Sequence, residues 1–220
     1  MSGEAIVATS SRRDGDARPS RLDATAPGDA LHRAIVDLPW TFCRQVHGAR
    51  VLEVAGPTAA LAEADAIVTT SQETALGVLG ADCALIGLAS RERVIGVAHA
   101  GWRGLVAGVV GAAAETMRRG GASRIEAVVS ACIHAECYPF AAADLAGLVA
   151  VLGDEVIGTA ADGSPAFDLP AAVRRCLAAA DVELVGAIDD CTACSGEYFS
   201  FRRRRDTARH LLGVWLEPAG

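Results

Sequence analysis

Lysine and asparagine are absent from this chain, so all twenty of its basic residues are arginine. The first absence removes chemistry that needs an amine: Walker A loops, Schiff-base enzymes and pyridoxal phosphate sites each require a lysine. Long apolar runs are missing as well. No stretch of about 18 apolar residues occurs, and no basic segment followed by an apolar one opens the sequence, so neither a membrane span nor a secretory signal is expected. The expected compartment is the cytoplasm. Base is scarce relative to acid, giving a formal net charge of -7. That balance works against general nucleic-acid binding, which needs a basic surface to displace counterions. Small neutral or anionic substrates fit it better.

A disulfide framework is also not expected. Seven cysteines form an odd set without small-scaffold spacing, which reads as thiols in a chain of cytoplasmic type. Cys191 and Cys194 make one C-x-x-C, and Cys132 and Cys137 a looser pair. With no second C-x-x-C and no thioredoxin-like surroundings, these read as unlinked thiols.

What is present supports a globular fold. The chain has 220 residues, 51% of them hydrophobic, enough for one substantial core and one expected domain over 1–220. The stretch Val94 to Gly104 organises it. Val94 to Ala98 reads as a buried strand ending on His99, Gly101 and Gly104 bracket Trp102 and Arg103 in a turn, and Leu105 to Arg119 reads as a helix. Such a junction places side chains and free amides at a sheet rim, within reach of ligands.

Further strands are expected at Ala5 to Thr9, Trp40 to Val46, Arg50 to Ala55, Asp65 to Thr70, Arg124 to Ser130, Val182 to Ile188 and Leu211 to Leu216. Trp40 to Val46 and Arg50 to Ala55 read as a hairpin across Gly48-Ala49. Ala75 to Leu79 and Ala84 to Leu88 fit two short strands or one kinked strand. Helices are expected at Ala30 to Leu38, at Ala141 to Leu152, and from the Asp168 cap to about Ala180, with Pro170 tolerated in the first turn. Ser10 to Asp29, polar and without a period, reads as a long, mobile N-terminal loop. The mix indicates an α/β or α+β fold with mixed sheets.

His47, Cys83 and His99 each stand at or beside a strand end. Two imidazoles and a thiolate are donors zinc favours, and three protein ligands leave a fourth position for water, as catalytic sites require. Their separations of 36 and 16 positions match no short metal motif. Spacing alone favours the plainer view of His47 as a hydrogen-bonded turn histidine and Cys83 as a buried small hydrophobe. Cys83 as a nucleophile with His99 as its base is another option. Asp82 reads either as an orienting or acid/base group or as a turn residue bonding its own backbone. Arg103, in the glycine turn, is the better single anion-binding candidate. Arg202 to Arg205 reads as a phosphate-binding run or as a solvated face.

Six segments in order, QVHG (45–48), ADAIVTT (64–70), GADC (80–83), AHAGWRG (98–104), FDLP (167–170) and FSFRR (199–203), resemble the YfiH-like family. Its members have been labelled laccase-domain or multicopper polyphenol oxidases and, later, purine nucleoside phosphorylases with adenosine deaminase activity. The resemblance implies an α+β fold, a four-layer α/β/β/α sandwich with mixed sheets. It implies that His47, Cys83 and His99 are the zinc ligands and catalytic, and Asp82 is the acid/base candidate read beside them from the residues alone. It implies phosphorolysis of adenosine, inosine, guanosine or methylthioadenosine, and deamination of adenosine. Purine nucleoside and phosphate are the implied partners, with Arg103, Arg202 and Arg203 as phosphate-binding candidates. Copper is the less expected metal, because five histidines are too few for a multicopper cluster, and an axial methionine has only Met1 or Met117 to come from. Three further functions compete with this one: a zinc-free cysteine hydrolase using Cys83 and His99, a copper-binding polyphenol oxidase, and a non-catalytic nucleoside-binding protein. The family's glycine-rich N-terminal segment is poorly matched by Ser10 to Arg18. Its Gly-Pro turns appear here as Ser130-Ala131 and His134-Ala135.

Overall fold

The structure, a computed structural model, describes residues 4–20 and 28–217. In chain order its elements are β1 (Ala5–Thr9), α1 (Gly28–Ile35), β2 (Trp40–Thr41), β3 (Val51–Val54), β4 (Ala66–Thr69), β5 (Ala75–Gly80), β6 (Ala84–Ala89) and β7 (Ile95–Ala100). There follow α2 (Trp102–Ala107), α3 (Val109–Arg119), β8 (Ile125–Val129), α4 (Ala142–Leu152), β9 (Ile157–Thr159) and β10 (Pro165–Phe167). The last are α5 (Leu169–Ala179), β11 (Val182–Ala187), α6 (Phe201–Arg204) and β12 (His210–Leu216).

Two sheets carry the fold. One has the order β1-β12-β5-β2, the other β11-β8-β6-β7-β4-β3, and both mix parallel with antiparallel pairs. Side chains alternate across each strand with period two. Ile67, Leu76, Val78, Leu85, Ile95, Val97, Leu212 and Val214 therefore meet in one apolar layer between the sheets. The opposite faces are apolar too. Ile86, Leu88 and Ala98 pack with Leu105, Val110, Met117, Leu148 and Val173 of α2 to α5, while Leu31 and Ile35 of α1 pack against Trp40, Leu79 and Leu211. The layers run α/β/β/α. Each fully buried leucine or isoleucine contributes about 2 kcal/mol of hydrophobic stabilisation, and burial on both faces explains why β5, β6 and β7 read as nearly continuous apolar runs. No helix among the described residues is long and apolar enough to cross a membrane.

Three local expectations are corrected. The Trp40 to Ala55 hairpin does not form: β2 pairs with β5 in the smaller sheet and β3 with β4 in the larger. Between β2 and β3 the chain bonds elsewhere, Arg44 to Ala62 and Ala64 and Gln45 to Leu79, before the 46–48 turn, where His47 takes the left-handed φ of 61°. The helix expected over Leu105 to Arg119 is two helices, broken at Gly108, whose φ of 88° a side chain would resist. The polar N-terminal stretch is tied down where it is described. Amides of Ser10, Arg12 and Ala17 donate to carbonyls of Leu211, Glu197 and Arg209, and Ala17 is fully buried. The expected loop's residues 21–27 lie outside the described residues, as does Met1. The β9–β10 hairpin and α6 were not anticipated; strands of three residues are too short to show a period.

Candidate functional site

Strand pairing brings the distant residues together. In the β4–β7 ladder Ala66 faces Ala98, so Asp65 and His99 continue it at the sheet end, where the His99 amide donates to the Asp65 carbonyl at 2.7 Å. In the β6–β7 ladder Ala84 faces Ala100, which sets Cys83 across from Gly101. His47 arrives from the turn after β2. The candidate ligand atoms of His47, Cys83 and His99 all lie within 4.8 Å of one another. Cys83 Sγ is 3.9 Å from His47 Nε2, and the two imidazoles meet edge to face at 4.7 Å between centroids.

Asp65, unremarked as a functional residue in the sequence, organises the trio. Its carboxylate has no solvent exposure. One oxygen accepts from the His47 amide at 2.9 Å and lies 2.9 Å from His99 Nδ1; the other accepts from the Val46 and Gly48 amides at 3.1 and 2.7 Å. With Nδ1 engaged by Asp65, Nε2 is the ring atom of His99 turned to Cys83, the arrangement by which a carboxylate orients a metal-binding imidazole. Burial pushes the Asp65 carboxyl up, but these hydrogen bonds and the His99 charge hold it below the usual range.

The protonation states suit a cation. Burial pushes the Cys83 thiol up; the charge of His99 and hydrogen bonds from His47 and His99 outweigh it and bring it to about 6. Burial pulls His99 down, yet the Cys83 and Asp65 interactions raise it to about 9. The metal-free pair is thus a thiolate facing an imidazolium, and a divalent ion can replace the imidazolium proton. The N2S donor set fits one zinc-type or copper ion with an open position. It does not fit a multicopper cluster. Among the described residues, which include all five histidines, the trio is the one metal-competent group that contains an imidazole, and it has two. Met117 is buried in α3 against Gly96, near the start of β7 rather than beside His99.

The remaining candidates surround the trio unequally. Asp82, with φ of 97°, does not bond its own backbone. It accepts from Thr192 Oγ1 at 2.8 Å and from the Arg202 amide at 2.6 Å, so it pins the 192–202 segment beside Cys83. The Arg202 guanidinium sits over the Tyr138 ring at 5.1 Å and donates to the Pro139 carbonyl. Arg103 is exposed and stacks on Trp102 at 4.3 Å. Burial raises the Tyr138 hydroxyl, Cys83 adds to the rise, and Arg202 and Arg103 oppose it, which sets all four in one electrostatic neighbourhood. Tyr138 was not among the candidate residues read from the sequence, and its place in this neighbourhood comes from the fold alone. Arg203 lies farther out, lining an open hollow with Arg202, Cys137 and Cys194. Arg204 is not a solvated cation: it bonds carbonyls of Thr192, Ala193 and Tyr198 and the Asp206 carboxylate. The cysteines are all free, as expected, but Cys137, Cys191 and Cys194 are gathered with Glu136 rather than scattered.

Comparison with known proteins places these features in context. Residues 28–217 match the family model described as multi-copper polyphenol oxidoreductase laccase. A purine nucleoside phosphorylase from Streptomyces griseus is 39% identical over 208 residues, covering 90% of this chain and 83% of the relative. An adenosine deaminase from an unknown prokaryotic organism is 34% identical over 191 residues, covering 78% and 73%. Among solved structures, a DUF152-family protein of Neisseria meningitidis superimposes with a TM-score of 0.84 at 22% identity, covering 99% of both chains. YfiH of Bacillus licheniformis does so with 0.83 at 21%, covering 97% of this chain and 93% of that one. These two likenesses concern the fold.

Proposed function

This chain belongs to the multi-copper polyphenol oxidoreductase laccase family, and from that premise we propose that it is a metal-dependent purine nucleoside enzyme. Its reactions are phosphorolysis of adenosine, inosine, guanosine or methylthioadenosine and hydrolytic deamination of adenosine. The observation that carries this reading is the convergence of His47, Cys83 and His99 on one point, with His99 held by Asp65. The names of the relatives in Streptomyces griseus and the unknown prokaryote support the substrate class.

His47, Cys83 and His99 hold the ion, for which Zn2+ is the proposed identity. When bound, it supplies a Lewis acid and lowers the pKa of water toward neutrality. Asp65, bonded to His99 Nδ1, would leave Nε2 to bind the ion. In phosphorolysis a phosphate oxygen bonds to the anomeric carbon while the carbon–nitrogen bond breaks, and the purine leaves with the electron pair and gains a proton. Arg103 and Arg202, both electrostatic neighbours of Tyr138, and Arg203 are the groups proposed to hold the phosphate; guanidinium forks suit that oxyanion. In deamination a water oxygen adds to the purine carbon that bears the amino group, and ammonia departs. Asp82 fixes the Arg202 backbone and thereby the phosphate side.

The experiment is product analysis of the zinc-loaded protein with adenosine, with and without phosphate. Adenine that requires phosphate, or inosine that does not, supports the reading; neither product in either condition defeats it. A cysteine hydrolase is the second reading, favoured by the thiolate character of Cys83. Inactivation by iodoacetamide, with turnover indifferent to chelators, would select it.

A further inference from the structure

We propose that Glu136, Cys137, Cys191 and Cys194 form a second cation site, a cage of three thiolates and one carboxylate for a zinc-type ion, separate from the His47–Cys83–His99 centre. The candidate ligand atoms of these four residues lie within 4.8 Å of one another. Cys137 Sγ is 3.2 Å from Cys194 Sγ, and Cys194 Sγ is 3.3 Å from Glu136 Oε1. Tetrahedral zinc with bonds of about 2.3 Å to sulfur sets its thiolates roughly 3.8 Å apart. The Cys137–Cys194 pair lies within about 0.6 Å of that spacing.

The backbone is already arranged for it. Cys191 and Cys194 close a tight C-x-x-C turn in which the Ser195 amide donates to the Cys191 carbonyl, and Cys132 and Cys191 are bridged as neighbouring strands are. The His134 amide points at Cys191 Sγ at 3.4 Å, the kind of outer contact that stabilises a ligating thiolate. Glu136 and Cys137 come from a 3-10 turn at Ala135–Cys137. The third thiolate is thus supplied from 57 residues away rather than from a second C-x-x-C, which is why the motif looked incomplete in the sequence.

Charge and access agree. Three thiolates, a carboxylate and a divalent ion leave a net charge of about -2, and Arg202, Arg203 and Arg204 line the adjoining hollow of about 680 Å³. Arg204 grips the carbonyls of Thr192 and Ala193, the two residues between the cysteines. Cys194 is exposed and gives an ion its way in. Four protein donors close the coordination sphere, so this ion is structural rather than catalytic. Its consequence falls on the first centre: it joins the turn preceding Tyr138 to the loop whose Thr192 bonds Asp82.

The test is titration of reduced, metal-free protein with Zn2+ and, for its absorption bands, with Co2+. Wild type takes up two equivalents; Cys83→Ala, Cys137→Ser and Cys194→Ser each take up one; the Cys176→Ser control takes up two. Because three of four ligating thiolates belong to this site, Cys194→Ser cuts the sulfur-to-cobalt charge-transfer intensity to about a quarter. Thermal unfolding of each variant establishes that it is folded. Folded Cys137→Ser and Cys194→Ser proteins that each take up as many equivalents as wild type overturn the proposal. So does a Cys137–Cys194 disulfide forming freely in zinc-saturated protein. The Cys83→Ala arm reads the first centre alone, so failure there leaves this site standing.

Discussion

Asp65 Oδ1 lies 2.9 Å from His99 Nδ1 across 34 residues of sequence, and the same carboxylate gathers the amides of Val46, His47 and Gly48. One buried anion therefore sets the ring of His99 and the turn that carries His47. Two of the three donors depend on it.

Asp65→Asn should lower metal affinity about 10- to 100-fold, the usual cost of losing an outer-shell partner. Competition against a chelator of known affinity measures it. An unchanged affinity in the folded variant would separate Asp65 from the metal centre.

Gly101→Ala should damage the site while sparing the fold. Gly101 has an ordinary φ of -76°, so a side chain is tolerated by the backbone. A Cβ there would come within 2.7 Å of Cys83 Sγ and 3.2 Å of His47 Cδ2. Unfolding free energy should change by about 1 kcal/mol or less, as expected for alanine replacing glycine at a helix N-cap. Nucleoside turnover should fall at least tenfold. Equal losses of stability and turnover would contradict this.

Cys83 should be the thiol that iodoacetamide labels first in metal-free protein near neutral pH. Burial pushes Cys43 up to about 12 and Cys132 higher still, whereas the histidines bring Cys83 down to about 6. Peptide mass mapping identifies the labelled residue, and zinc should protect it. Labelling of Cys83 at the same rate with and without zinc would argue against its ligand role.

Acid should weaken the fold through His210. It is 1% exposed in β12, and neither ring nitrogen has a hydrogen-bond partner among the described residues. Burial, reinforced by the Arg209 charge, depresses it from 6.5 to about 4. Between those values the unfolded chain binds a proton that the folded chain refuses, so stability is lost as pH falls through that window, by about 3 kcal/mol in all. His210→Leu should flatten the dependence in denaturant titrations across that range. A variant as acid-sensitive as wild type would exclude His210 as the cause.

Much of this fold is legible because its central strands are apolar on both faces. Ala84 to Leu88 and Val94 to Ala98 stand out as short β-rich runs, and Asp168 announces α5 by capping the Ala171 amide. Partner choice is not written locally. Trp40 to Val46 and Arg50 to Ala55 look like a hairpin, yet sheet packing sends β2 and β3 into different layers. The break at Gly108 hides in a sequence of uniform helical composition. At the site, His47, Cys83 and His99 are visible as polar residues at strand ends, but their meeting depends on the β4–β7 and β6–β7 registers. Asp65 looks like any acidic residue before a strand. Cys137 joins Cys191 and Cys194 through tertiary packing that no spacing encodes.

The central claim is that His47, Cys83 and His99 hold one ion on which nucleoside chemistry depends. Metal content and adenosine turnover, measured side by side on wild type and Cys83→Ala, test it most directly. The variant should lose one equivalent of metal and its turnover together. A folded Cys83→Ala protein with wild-type metal content and wild-type turnover would contradict the account.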